Sequence, residues 1–237
     1  MIVNQVHAIN MIINISINLY SSIIILSIIL GLLYIYKFTK KENKRFPHAI
    51  LYFMLYISFA FYFGKLYTAL TEHMNGNYLT MGLSAYGGLI GTIVSAIIFE
   101  KLQPINGTLT KYTILSLPLV YSVSKIACFL AGCCGGIPYS GFLHVIYPQR
   151  LNIPQFPIQL VETIVSLIVF LICHKLRNKK NITYITIILI AIVKASLDFL
   201  RYDHLTVKIS ANQIFSFILI TITILIYGYQ KIKTLKN

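Results

Sequence analysis

The chain has 237 residues, of which 57% are hydrophobic and 11% charged, with a mean hydropathy of +0.76. Ordinary globular domains are about 25% charged, so this composition excludes a disordered chain, a disulfide scaffold and a water-soluble domain. Lys+Arg 20 against Asp+Glu 6 gives a net charge of +14, and the placement of that excess carries information.

Seven apolar stretches predict membrane spans near 12–36, 47–70, 80–99, 112–131, 157–173, 182–200 and 212–230. Each approaches the ~20 residues that cross a bilayer as a helix. Helices are expected because backbone in lipid must satisfy its own hydrogen bonds. No stretch shows the ~10-residue alternating pattern of a membrane β-barrel. The first span does not read as a cleaved signal peptide: its start lacks a positive cluster and its apolar run is too long. The expected fold class is an all-α polytopic membrane protein, a single integral membrane domain over 1–237.

With the N-terminus outside, the cytoplasmic segments are 37–46, 100–111, 174–181 and the tail from Lys231. They hold Lys37, Lys40, Lys41, Lys44, Arg45, Lys101, Lys111, Lys175, Arg177, Lys179, Lys180, Lys231, Lys233 and Lys236. The outer segments hold only Arg150, Arg201 and Lys208. This asymmetry follows the positive-inside rule and places the C-terminus in the cytoplasm. Nucleic acid is not an expected partner, because the bases are divided among short loops that flank apolar spans.

Lys65, Lys125, Lys194, Glu162 and Asp198 fall within or at the end of apolar spans. Any one of them is accounted for by snorkelling to the interface. Five together point to a polar site inside the membrane, because charges at that depth usually pair or line a cavity.

The third span carries Gly82, Gly87, Gly88 and Gly91 around Tyr86. Small residues let helices approach closely, and they also leave room for a lipid. Both readings stand. The fourth span ends in Cys128, Cys133 and Cys134 with Gly132, Gly135 and Gly136, followed by Pro138, Gly141 and Pro148. That run cannot remain helical, which predicts an irregular outer loop at 132–156. Its glycine-rich start exposes backbone N–H groups that suit an anion. The cysteines form no C-x-x-C pair, and His144 supplies no common spacing, so no metal is expected. Small buried cysteines are the simpler reading. Gln159 and Glu162, three apart, share a helix face, as do Lys194, Asp198 and Arg201. The latter three suit either a supporting ion-paired ridge or a pocket for a phosphate-bearing headgroup.

In this order the motifs resemble the prolipoprotein diacylglyceryl transferase family over about residues 14–205. The family's His-Gly-Gly motif corresponds to Tyr86-Gly87-Gly88. Its Gly-Arg-Ile-Gly-Asn-Phe signature corresponds to Ser124-Lys125-Ile126-Ala127-Cys128-Phe129 and runs on to Gly136. Its His-Pro-x-Gln-Leu-Tyr-Glu motif corresponds to Phe156-Pro157-Ile158-Gln159-Leu160-Val161-Glu162. Its late Arg-x-x-x-Glu-x-x-Arg stretch corresponds to Lys194, Asp198 and Arg201, and Tyr20 and Gly64-Lys65-Leu66-Tyr67 match two earlier motifs. Each match is weak alone, and the ordered set is specific.

The resemblance implies seven helices in the plasma membrane of a bacterium, an outward N-terminus and an inward C-terminus. It implies transfer of a diacylglyceryl group from phosphatidylglycerol to the lipobox cysteine of a preprolipoprotein, the first step of lipoprotein maturation. The partners are then an anionic phospholipid and a secreted preprolipoprotein signal peptide, with no cofactor, and the chain acts as a monomer. The catalytic residues by correspondence are Tyr86, Lys125, Lys194, Asp198 and Arg201. The substrate-binding residues are Tyr20, Lys65, Gly87, Gly88, Cys128, Gly136, Gln159 and Glu162.

Departures are equally legible. The family's proposed base is replaced by Tyr86, its signature arginine by Lys125, its asparagine by Cys128 and a following glutamate by Cys133. Lysine lacks arginine's bidentate fork, and tyrosine, with a reference pKa near ~10, is a poor resting base. A transferase acting on another anionic lipid or acceptor therefore remains an alternative. A non-catalytic transporter or assembly protein is another, although no inverted repeat of the transporter kind is visible.

Overall fold

The computed structural model describes residues 2–43, 48–71, 82–103, 107–147 and 153–236. The expected span limits at 47 and 80, the bases Lys44, Arg45 and Arg150, and Pro148 lie outside the described residues. The helices in chain order are α1 (Ile2–Asn43), α2 (Ala49–Thr71), α3 (Ala85–Leu102), α4 (Thr108–Ala131), α5 (Ile158–Lys175), α6 (Ile182–Asp198) and α7 (Ala211–Lys236). All but α6 contain an apolar stretch long enough to cross a membrane, which gives six candidate spans among the described residues. The α6 helix has 17 residues and ends at Asp198, short of the expected limit at 200. Its end is set by a 3₁₀ turn, Tyr202–Leu205, whose N-cap Arg201 is extended. The chain is a helical, polytopic membrane protein.

The α1 helix has 42 residues, about twice what a bilayer requires, and overruns the expected 12–36 at both ends. Its last turns carry Lys37, Lys40 and Lys41 out of the apolar zone. Glu42 anchors that end by pairing with Lys111 at 3.0 Å and accepting from Tyr112.

The α4 helix is the hub, packing against α1, α3, α5 and α6, while α2 pairs with α3 and α6 with α7. Its residues from Tyr112 to Pro118 are all buried, as expected of a helix surrounded by others. Apolar burial gives little drive between helices in lipid, so polar and small residues do the joining. Ser122 and Thr163 exchange side chain-to-backbone bonds of 2.9 and 3.3 Å between α4 and α5. Tyr52 meets Thr113 at 2.6 Å between α2 and α4, and Tyr34 meets His174 at 3.0 Å between α1 and α5.

Glycines join α2 to α3. A Cβ on Gly87 would collide with the Phe63 carbonyl and lie 2.7 Å from Gly64 Cα; one on Gly91 would strike the Phe59 carbonyl. Gly87 is thus a packing residue, whereas Gly88 has only the Ala60 carbonyl oxygen, at 3.8 Å. Gly87→Ala should lower resistance to detergent unfolding by about 1–3 kcal/mol. Gly228→Ala, with nothing within 4 Å of its Cβ, should cause no loss. Equal effects in an SDS-unfolding titration would contradict this packing.

The aromatic core fills one end of the bundle. One cluster joins Leu32, Ile35, Tyr52, Tyr56, Phe99 and Leu109, and another joins Tyr34, Tyr112, Leu115, Cys173 and Ile182. Among the described residues, the bases Lys37, Lys40, Lys41, Lys101, Lys111, Lys175, Arg177, Lys179 and Lys180 lie at that same end. The other end is built from the end of α2, the start of α3, the end of α4, the start of α5, the end of α6 and the start of α7. These are the helix ends where the buried charges fall.

The described parts of the loop after α4, 132–147 and 153–157, hold more order than expected. A two-residue antiparallel pair links β1 (Val145–Ile146) to β2 (Pro154–Gln155). Isolated bridges join Gly136 to Arg201 and Pro138 to Gln155. Backbone bonds from Ile137 N to Leu200 O at 3.0 Å and from Tyr202 N to Gly135 O at 3.1 Å tie the loop to the end of α6. A side chain on Gly136 would block this crossing, because its Cβ would overlap the Phe156 carbonyl and lie 3.2 Å from Leu200 O.

Candidate functional site

Glu162 stands in the second turn of α5, 3% exposed, and Lys125 near the end of α4, 4% exposed. Lys125 Nζ lies 2.8 Å from Glu162 Oε2. Tyr121, one turn before Lys125, donates to Glu162 Oε1 at 2.7 Å. Arg201 approaches the same carboxylate at 3.7 Å and Asp198 at 3.8 Å. Those distances are ion pairs rather than hydrogen bonds. Arg201 Nε is buried without a hydrogen-bond partner. The fork of Arg201 is therefore held in place by charge and not consumed by side-chain acceptors.

Asp198 is held by several donors: Ser210 Oγ, Asn212 Nδ2 at 3.2 Å, and His204 Nε2 at 3.2 Å. Ser210 and Gln213 form a reciprocal capping box at the start of α7, with bonds of 3.1 and 3.2 Å. That cap fixes the Asp198 partners in position. Tyr67 donates to Asn212 Oδ1 at 3.3 Å, which extends the network to α2.

Lys194 does not join this ridge as its i,i+4 spacing predicts. Its ammonium sits 4.5 Å from the ring centre of Tyr86 and 4.2 Å from that of Tyr121. Cation–π contact with two rings holds a charge without neutralising it. Ser84 caps α3 by accepting from Tyr86 N at 3.2 Å, which sets Tyr86 in the first turn. Tyr86 is 1% exposed, bonds through its hydroxyl to Ser216, and stacks on Tyr67 with ring centres 6.0 Å apart. Tyr86→Phe should cost about 0.5–1.5 kcal/mol by removing one hydrogen bond. Tyr86→Ala should cost about 3–5 kcal/mol by also removing the ring. Equal losses in SDS unfolding would show that the ring holds nothing.

Three cations, Lys125, Lys194 and Arg201, thus face two carboxylates, Glu162 and Asp198, at one end of the bundle. A cleft between α4, α5 and α6 opens beside them, lined by Pro118, Tyr121, Val169, Ile190 and Lys194. Gln159 faces the loop after α4, donating to Cys133 O at 2.7 Å, and its own Oε1 is buried without a partner. The sulfurs of Cys128, Cys133 and Cys134 lie within 4.8 Å of one another, a cluster that their spacing did not suggest. Tyr20 on α1 is partly buried. Lys65 is partly buried on α2, one residue after Gly64.

Tyr121, His204, Ser210, Asn212 and Ser216 join this site without having been singled out from the sequence. Two signals existed. Tyr121 is one helical turn from Lys125, and Ser210-Ala211-Asn212-Gln213 is a capping-box pattern.

Comparison with known proteins identifies relatives of the chain. The family model for prolipoprotein diacylglyceryl transferase matches residues 7–229. A phosphatidylglycerol--prolipoprotein diacylglyceryl transferase of Dehalococcoides mccartyi is 24% identical over 163 residues. That alignment covers 64% of this chain and 63% of the relative, so just under two thirds of the relative's length is matched. The long apolar helices and a family match over most of the chain place this divergent, multi-pass protein of the bacterial inner membrane in the prolipoprotein diacylglyceryl transferase family.

Proposed function

We propose that this chain transfers a diacylglyceryl group from phosphatidylglycerol to the lipobox cysteine thiol of a preprolipoprotein. The observation that carries the reading is the buried excess of cations over carboxylates at one end of the bundle. A charge excess at membrane depth calls for an anionic ligand. Membership of the prolipoprotein diacylglyceryl transferase family, and likeness to a phosphatidylglycerol--prolipoprotein diacylglyceryl transferase, support phosphatidylglycerol as that ligand.

In this reading the domain has seven spans, with α6 counted, and the N-terminus outside. The site then lies toward the outer face, where a secreted signal peptide arrives, and the basic segments lie inside. The working unit is a monomer, and nucleic acid has no part in it.

The thiol loses its proton to solvent and attacks the glyceryl carbon bonded to the phosphate oxygen. The C–S bond forms, the C–O bond breaks, and glycerol-1-phosphate leaves with the electron pair. Lys125, Lys194 and Arg201 hold the phosphate as its charge grows. Glu162 and Asp198 orient those cations, and Tyr86 supports Lys194. Tyr20, Lys65, Gln159 and Cys128 line the approach. Gly88 leaves room at the headgroup, with Gly87 seating the helix that carries it, and Gly136 lets the loop cross close to Arg201.

The exchange of arginine for Lys125 and of histidine for Tyr86 supports a second reading, in which the lipid or acceptor differs. The test is a reconstituted reaction with phosphatidylglycerol and a lipobox peptide, read by mass spectrometry of peptide and lipid. Lys125→Ala combined with Arg201→Ala should abolish the product, and unchanged activity would sink the site assignment. Bound anionic lipid without modified peptide would favour the second reading. Neither binding nor product would favour a non-catalytic protein.

A further inference from the structure

We propose that Cys128, Cys133 and Cys134 form a three-thiolate site for a thiophilic divalent cation, zinc in the first instance, whose open position receives the acceptor thiol. The inference rests on the transfer reaction proposed above and supplies the step that reaction lacks, activation of the thiol.

The geometry comes first. Cys128 lies in the last turn of α4, which closes on Gly132 in the left-handed conformation at φ 67°. Cys134 is also left-handed, at φ 54°, an uncommon backbone for a residue other than glycine. These two reversals fold the chain back, so that Cys133 N bonds to Cys128 O at 3.1 Å. Gln159 fixes the turn through Cys133 O. The three sulfurs then lie within 4.8 Å of one another. Zn–S bonds of about 2.3 Å put tetrahedral ligands ~3.8 Å apart, so small side-chain rotations complete the set.

The charge fits as well. Three thiolates on a divalent cation carry one net negative charge. Cys128 follows Lys125 by three residues on α4, and the bridge of Gly136 to Arg201 brings the end of α6 within two residues of Cys134. The site is therefore contiguous with the phosphate-holding cations.

The chemistry supplies the role. Attack needs a deprotonated acceptor thiol. The Tyr86 hydroxyl is engaged by Ser216, Glu162 by Lys125 and Tyr121, and Asp198 by Ser210, Asn212 and His204. These groups are committed to holding one another. A thiol that coordinates a metal gives up its proton on binding. Three protein ligands with an open fourth position are the pattern of catalytic rather than structural zinc. The acceptor R–SH takes that position and its proton passes to solvent. Its sulfur then forms the C–S bond as the phosphate leaves, with no oxidation or reduction. The cysteines that replace the family's polar residues thereby take over activation from the replaced histidine.

The test uses the full chain in detergent, kept reduced, stripped of metal and titrated with cobalt(II). One cobalt per chain should give a near-ultraviolet sulfur-to-metal charge-transfer band and visible bands of tetrahedral type. Zinc should displace it. Cys128→Ser and Cys134→Ser should each weaken binding at least tenfold, and Cys173→Ser, on the far end of α5, should not. A lipobox peptide should shift the visible bands, and its serine counterpart should not. Absence of the charge-transfer band in the wild-type chain overturns the site, as does an undiminished band when all three cysteines are serine. Equal shifts by the two peptides overturn the thiol-receiving role. Cobalt binding and a thiol-specific shift without thioether product would retain this site and remove the proposed transfer. Product formed at the wild-type rate by the metal-free triple serine variant would retain the transfer and remove this site.

Discussion

Glu162→Ala is expected to lower the stability of the folded chain by about 3–5 kcal/mol, the cost of breaking a buried ion pair from one side. Glu162 neutralises Lys125 at 2.8 Å, holds Arg201 at 3.7 Å and accepts from Tyr121. Removing it leaves two buried cations repelling one another and a third, Lys194, over the adjacent ring. Water reaches this position poorly, because Glu162 and Lys125 are both nearly fully buried. Glu162→Gln keeps the acceptor for Tyr121 and loses the charge, so its cost should be smaller but still measurable. Combining Glu162→Leu with Lys125→Met should recover most of the stability, since apolar replacement of both partners is often neutral. The same double variant should remain inactive. SDS-unfolding free energies for the single and double variants check this. A loss under ~1 kcal/mol for Glu162→Ala, where a buried pair is expected to cost several times more, would contradict the role of Glu162 as the hub.

Arg201→Ala is expected to do the reverse, lowering transfer by about 10²–10³-fold, the cost of removing one preorganised charge-stabilising donor. It should leave stability nearly intact. Asp198 retains Ser210, Asn212 and His204, and Glu162 retains Lys125 and Tyr121. Neither carboxylate is stranded when Arg201 goes. The unused Nε and the long ion-pair distances leave the guanidinium free to grip a phosphate. Arg201→Lys should recover only part of the loss, because a lysine supplies charge without the fork. Steady-state kcat/KM beside SDS unfolding separates the two roles. A large stability loss with proportionate activity loss would make Arg201 a structural strut.

The contrast between these residues shows what was legible in the sequence. Hydropathy placed the helices, and the charges at membrane depth, Lys65, Lys125, Lys194, Glu162 and Asp198, suggested one polar region, of which the structure pairs Lys125 with Glu162. The three-residue spacing of Gln159 and Glu162 put both on one helix face, and the structure buries that face. The end of α6 was less legible, because apolar Phe199 and Leu200 continue the pattern while the backbone turns away at Asp198. The fate of Lys194 was not legible either. Helical spacing offered Asp198 as a partner, but the rings of Tyr86 and Tyr121 come from other helices. The cysteine cluster escaped spacing rules for a similar reason. Its closure depends on two left-handed residues, and one of them is a cysteine rather than a glycine.

The central claim is that the buried cations serve a phosphate-leaving transfer to a thiol. The most direct measurement is mass spectrometry of a lipobox peptide after incubation with the reconstituted chain and phosphatidylglycerol. The account predicts a diacylglyceryl thioether on the peptide cysteine and an equal yield of glycerol-1-phosphate, both lost in Arg201→Ala. Unmodified peptide in the presence of folded, lipid-bound protein would contradict it.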